Sequence, residues 1–165
     1  MLSASREQLE DAGGEDRDIC GLISAARELV ETGLRVELVG TPVDAADPRF
    51  IRYLKVRLGS QPDECFYAVF LDRARRYIRS EPIGFGGRAS VEARMGLLFR
   101  RALELRAAGL LLAHNHPSGA CSPSEADLAA TAQISETARQ LDLRLLDHLI
   151  VTPSSVYSIN KEQLL

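Results

Sequence analysis

The stretch Leu110–Asp127, "LLLAHNHPSGACSPSEAD", decides how the rest of the chain is read. Leu110 to Ala113 run without a break into His114-Asn115-His116, and a Pro/Ser/Gly loop then leads to an acidic helix start at Ser124. A short continuous apolar run bounded by turn residues reads as a strand covered on both faces. Strand, loop and helix in that order imply a sheet layered with helices. The chain has only three histidines, and two of them end this strand.

Residues i and i+2 of a strand project from one face. His114 and His116 therefore aim both imidazoles at one point, with Asn115 on the opposite side. Asp127 lies eleven residues past His116, about three residues into the next helix. That strand–loop–helix path can fold its carboxylate back over the strand end. Two imidazoles and one carboxylate suit zinc, and three protein donors with a fourth position open are the pattern of a catalytic site. The expectation is one Zn2+ per chain. A plainer reading stands beside it: Ser124 with Asp127 three residues on resembles a capping box, which needs no metal.

Working outward, "DICGLISAARELVETG" carries apolar residues at helical spacing from Ile19 to Val30, with Gly33 as its stop. Pro48 opens a second helix through Leu58. "CFYAVFLD" and "YIRSEPI" read as a hairpin joined by "RARR". Ser90 is the expected N-cap of a helix over Val91–Ala108, with Gly109 at its C-terminal end. Ser124 to Leu141 form another helix. "LRLLDHLIV" is a second buried strand, and "SVYSI" a last short one. The pattern predicts a three-layer α/β/α domain with a mixed sheet. Residues 1–16 read as a mobile tail, 17–46 as a helical segment and linker, and 47–165 as the catalytic domain.

The bulk numbers exclude several classes. The sequence has 165 residues, 45% apolar and 26% charged, as expected of one globular domain. Its net charge of −3 gives no general attraction to nucleic acid. No apolar run is long enough for a membrane span, and none at the start resembles a signal peptide. Cys20, Cys65 and Cys121 are odd in number and far apart, which fits a reducing cytoplasm.

The run His114-x-His116-x7-Ser124-x2-Asp127 matches the signature of JAMM (JAB/MPN+) metalloproteases. The wording "HNHPSG" and the later "LLDHLIV" resemble the bacterial RadC group within that family. The family pattern also asks for an upstream glutamate at a strand end, matched here on "EPIGFG", Glu81 to Gly86. The resemblance covers roughly Pro48 to Ile159 and implies a JAB/MPN fold, cytidine-deaminase-like in architecture. Two departures stand out. Met95-Gly96 replaces a usual Pro-Arg pair, and only the last helix of a longer N-terminal helix-hairpin-helix region, associated with DNA binding, is recognisable.

The resemblance implies hydrolysis of a peptide, isopeptide or other amide bond by a metal-activated water. His114, His116 and Asp127 would hold the metal, Glu81 would carry the proton, and Ser124 would donate to the oxyanion. His148 would steady a metal ligand from behind or pair with Asp147, with a satisfied core histidine as the alternative. Cys121 reads as an incidental thiol, and the arginines of "RARRYIR" and "FRRALELR" as solvated faces. The competing function is that of a DNA-repair accessory or DNA-binding protein of the RadC group without hydrolase activity. An idle scaffold is disfavoured because all the ligands are present. No membrane partner is expected, and no feature of the sequence bears on oligomeric state.

Overall fold

A computed structural model of the chain describes residues 17–85 and 91–165. The expected tail over residues 1–16, the Ser90 cap and Gly86 lie outside the described residues. Among the described residues, four helices and six strands follow in the order α1 (Arg17–Leu38), α2 (Pro48–Leu58), β1 (Cys65–Leu71), β2 (Tyr77–Phe85), α3 (Val91–Glu104), β3 (Gly109–Asn115), α4 (Glu125–Gln140), β4 (Arg144–Val151), β5 (Val156–Ser158) and β6 (Gln163–Leu164). The strands form one mixed sheet in the order β2-β1-β3-β4-β5-β6. Only β3 and β4 run parallel, and α4 connects them. The other neighbours are antiparallel.

Both faces of the central strands are buried, so the sheet needs a helical layer on each side. On one face Tyr67, Val69, Leu111, Ala113 and Leu149 pack with Phe50, Leu54 and Leu58 of α2 and Leu34 and Leu38 of α1. On the other, Ala68, Phe70, Leu110 and Leu112 pack with Leu98 and Ala102 of α3 and Ile134 and Ala138 of α4. The alternation along β1 and β3 is the period-two rule at work. Each fully buried leucine contributes roughly 1.5–3 kcal/mol of transfer free energy. The three-layer α/β/α architecture expected from the sequence is the one observed.

The elements fall where the patterns place them, but three boundaries move. Helix α1 continues past Gly33 to Leu38, because Leu34 and Leu38 are buried one turn apart and hold the last turn down. Helix α3 ends at Glu104 and not near Ala108. Arg106 takes the left-handed conformation (φ 50°), and the Ala107 and Arg106 N–H groups close back on Ala102 and Leu103 carbonyls. This is a Schellman end made without glycine. Gly109 instead begins β3. The short β6 was not anticipated at all; it pairs with β5 and closes the sheet edge.

Among the described residues, no helix is long and apolar enough to cross a membrane.

Candidate metal centre

The site lies at the carboxyl end of β3, where open α/β sheets usually receive ligands. His114 is the next-to-last residue of β3, and His116 is one residue beyond it. Ser124 caps α4, and Asp127 occupies its third position. The capping box is complete: the Ser124 hydroxyl oxygen accepts from the Asp127 N–H at 3.2 Å, and Asp127 Oδ2 accepts from the Ser124 N–H at 2.8 Å. The Ser124 hydroxyl proton also reaches Asp127 Oδ2, at 2.6 Å. Capping therefore aims the carboxylate as well as starting the helix. Asp127 Oδ1 then lies 3.2 Å from His114 Nε2, and Oδ2 lies 3.5 Å from His116 Nε2. One ligand atom from each of His114, His116 and Asp127 lies within 4.8 Å of the others.

Hydrogen bonds behind the rings assign the Nδ1 protons. A peptide carbonyl only accepts, so Thr131 must donate its hydroxyl proton to the Asp127 carbonyl, at 2.6 Å. His148 Nδ1, 2.6 Å from the same hydroxyl oxygen, must then be the donor in that contact. Burial pushes the His148 imidazole down to about 3, so the ring is neutral and its Nε2 is bare. It accepts from His114 Nδ1 at 2.9 Å. On the other side, His116 Nδ1 donates to the Ala120 carbonyl at 2.8 Å. With both Nδ1 atoms engaged behind them, the rings turn their Nε2 atoms toward each other, 2.9 Å apart. Burial opposes charge on Asp127. Its hydrogen bonds to His114 and Ser124 outweigh that effect and hold the carboxyl well below the usual carboxylate range. Two ring nitrogens and a carboxylate oxygen converge on one point, and that set of ligand atoms suits a cation.

The remaining predicted residues are placed unevenly. His148 backs His114, as described. Asp147 does not face the site: its carboxylate accepts from Ser158 Oγ at 2.6 Å and from the His148 and Asn160 N–H groups. Adjacent strand residues point to opposite faces, so His148 and Asp147 cannot both serve the cluster. Cys121 Sγ turns toward the Ile150 carbonyl, 3.7 Å away.

Glu81 is on the cluster's face of the sheet but level with Ala68 and Leu112, and two strands away from β3. Two strand spacings are roughly 10 Å. The Arg101 guanidinium of α3 grips its carboxylate in a fork at 2.8 and 3.0 Å, and Arg79 adds a contact at 3.3 Å. Arg101 is thus a half-buried partner and not part of a solvated face.

Sequence reasoning missed Thr131 and Glu64, and the hydrogen bonds that Asn115 makes on the opposite side. Thr131 follows Asp127 by one helical turn, a local signal that could have been read. Glu64 directly precedes β1; the antiparallel register Phe66 with His114, carried two residues further, sets it level with His116. Its side chain borders a cavity shared with Asp127 and His148. Asn115 points away from the cluster, accepts from the Cys65 N–H at 2.8 Å and donates to the Gln61 and Asp63 carbonyls.

Fold and site together define a three-layer α/β domain with a His-His-Asp cluster at a strand end. Residues 46–164 match the RadC-like JAB domain. A UPF0758 protein of Paraburkholderia xenovorans is 38% identical over 134 residues, covering 81% of this chain and 51% of its own length. One from Methylibium petroleiphilum is 38% identical over 145 residues, 87% of this chain and 64% of that protein. One from Acidithiobacillus ferrooxidans is 37% identical over 136 residues, with 82% and 58% covered. The chain belongs to the RadC family and carries its JAB/MPN-type domain. It spans between about half and two thirds of the length of these relatives.

Proposed function

We propose that the domain is a zinc-dependent hydrolase of amide or isopeptide bonds, with His114, His116 and Asp127 as the metal ligands. The observation that carries this reading is the convergence of two imidazole Nε2 atoms and a carboxylate on one point, with both Nδ1 atoms tied to partners behind the rings. Zinc held by His114, His116 and Asp127 would acidify a water to a pKa of about 7 and polarise a substrate carbonyl.

The chain's own groups divide the rest of the work. Glu64, at the edge of the cavity that Asp127 and His148 also line, is the carboxylate placed to take a proton and return it to the leaving amine. Glu81 is held in the Arg101 fork, a pairing that fixes β2 to α3. The Ser124 hydroxyl, which donates to Asp127 Oδ2, would turn that proton to a carbonyl oxygen as negative charge develops on it. The free thiols Cys65 and Cys121 support a cytoplasmic location.

Metal analysis is the direct test. The purified chain should hold about one zinc, and His114→Ala and Asp127→Ala should lose it while native folding persists by circular dichroism. A native chain with no affinity for added zinc ends the proposal. With a panel of peptide and isopeptide substrates, Glu64→Gln should lower turnover by a factor of about 10² or more, the usual range for a general acid–base group. Glu81→Gln should retain most activity and lose stability instead. The reverse ranking would return the proton-carrying role to Glu81.

A further inference from the structure

Beside the polar cluster the site turns apolar. A cavity of about 180 Å3 opens between α3 and α4 above the sheet. Its walls are Phe66 from β1, Met95 and Leu98 from α3, and Ala126, Ala130 and Ile134 from α4. Asp127 and His148 line it as well, so the cavity and the cluster share a wall. Glu64, an exposed residue, stands at its margin.

We infer that this cavity is the subsite for an apolar side chain of the substrate, seated next to the bond under attack; the inference rests on the hydrolase reading above. Volume sets the size of the occupant. A dry apolar cavity of roughly 150 Å3 accepts a benzene ring, so this one has room for a branched aliphatic or phenyl group. Chemistry sets its polarity. His148 uses both ring nitrogens on His114 and Thr131 and offers the cavity no polar anchor. Its ring packs edge-on against Phe66, with centroids 5.5 Å apart. Ala126 and Ala130, one turn apart on α4, leave space that longer side chains would fill. The Glu64 carboxylate at the margin repels an acidic group. The favoured substrate is therefore an amide flanked by a neutral apolar residue, and an acidic one is excluded.

Hydroxamates separate the metal from the cavity, because the headgroup seeks zinc and the tail probes the space beside it. Binding of acetohydroxamate, isovalerohydroxamate, phenylacetohydroxamate and the monohydroxamate of succinate to the zinc-loaded full chain is measured by calorimetry. The isovaleryl and phenylacetyl compounds should bind at least about tenfold tighter than acetohydroxamate, since each buried methylene is worth about fourfold. The succinyl compound should bind more weakly than either. Ala130→Leu should bring the isovaleryl-to-acetyl affinity ratio close to one, with zinc content reporting that the fold is intact. Ala126→Leu, in the exposed first turn of α4, repeats the test should Ala130→Leu fail to fold. A chain that takes up no zinc overturns the hydrolase reading and the subsite with it. Tail-independent affinities on a zinc-loaded chain, or a ratio that neither leucine lowers, overturn the subsite alone.

Discussion

Asn115 stands between two histidines and faces away from both. Its carboxamide makes three hydrogen bonds to the backbone of residues 61–65, the segment that delivers Glu64 to the cluster. One strand end thus presents imidazoles on one face and a clamp for the neighbouring loop on the other. Asn115→Ala leaves the buried Cys65 N–H without its partner, and an unsatisfied buried donor costs about 1–3 kcal/mol. Urea unfolding should show a loss of that size. Asn115→Asp retains the acceptor for Cys65 but sets a carboxylate against two carbonyls, so it should not restore stability. At this scale the sequence was informative about His114, His116, Asp127 and Ser124, which lie within fourteen residues on one strand–loop–helix path. It misplaced Asp147, whose neighbour His148 takes the inward position, and it passed over Glu64.

Helices and strands were legible because their periodicity is local. Tyr67, Val69 and Leu71 alternate with Ala68 and Phe70 along β1, as a strand buried on both faces requires. Helix ends were less legible. Arg106 and Asp142 adopt left-handed backbone at the ends of α3 and α4, where glycine is the usual signal, and tertiary packing overrides that preference. Gly33 shows the opposite case: it looks like a terminator yet lies inside α1, exposed, with open space around the position of a Cβ. Glycine in a helix interior is about 1 kcal/mol less favourable than alanine. Gly33→Ala should therefore stabilise the chain by roughly 0.5–1 kcal/mol, seen as a rise of about 1–4 °C in Tm for a domain of this size. An unchanged or lower Tm would mean that α1 contributes little to the cooperative unit.

The whole molecule carries a second buried polar group on the face away from the cluster. The hydroxyls of Tyr53, Tyr67 and Tyr77 meet around Ser80, joining α2, β1 and β2. Burial pushes the Tyr53 and Tyr77 phenols up from their ordinary value. The unfolded chain releases these protons near pH 10, whereas the folded chain retains them. Their contribution is therefore complete below pH 10 and is lost as the pH rises above it. The urea midpoint should decline steeply between about pH 9.5 and 11. Tyr53→Phe, which removes one of these protons, should make the decline shallower from a lower starting point. A midpoint flat across that range would show that the phenols are solvated.

The amino-acid sequence by itself determined the layering and the His-His-Asp cluster. Apolar periodicity declares which faces are covered, and His114, His116 and Asp127 sit on one continuous piece of chain whose turns are short. The tertiary structure decided which glutamate stands beside them. Glu64 arrives just before β1 and Glu81 on β2, and their distance from β3 depends on strand order and register. Those are properties of non-local pairing, formed only when the sheet assembles, and no local spacing encodes them.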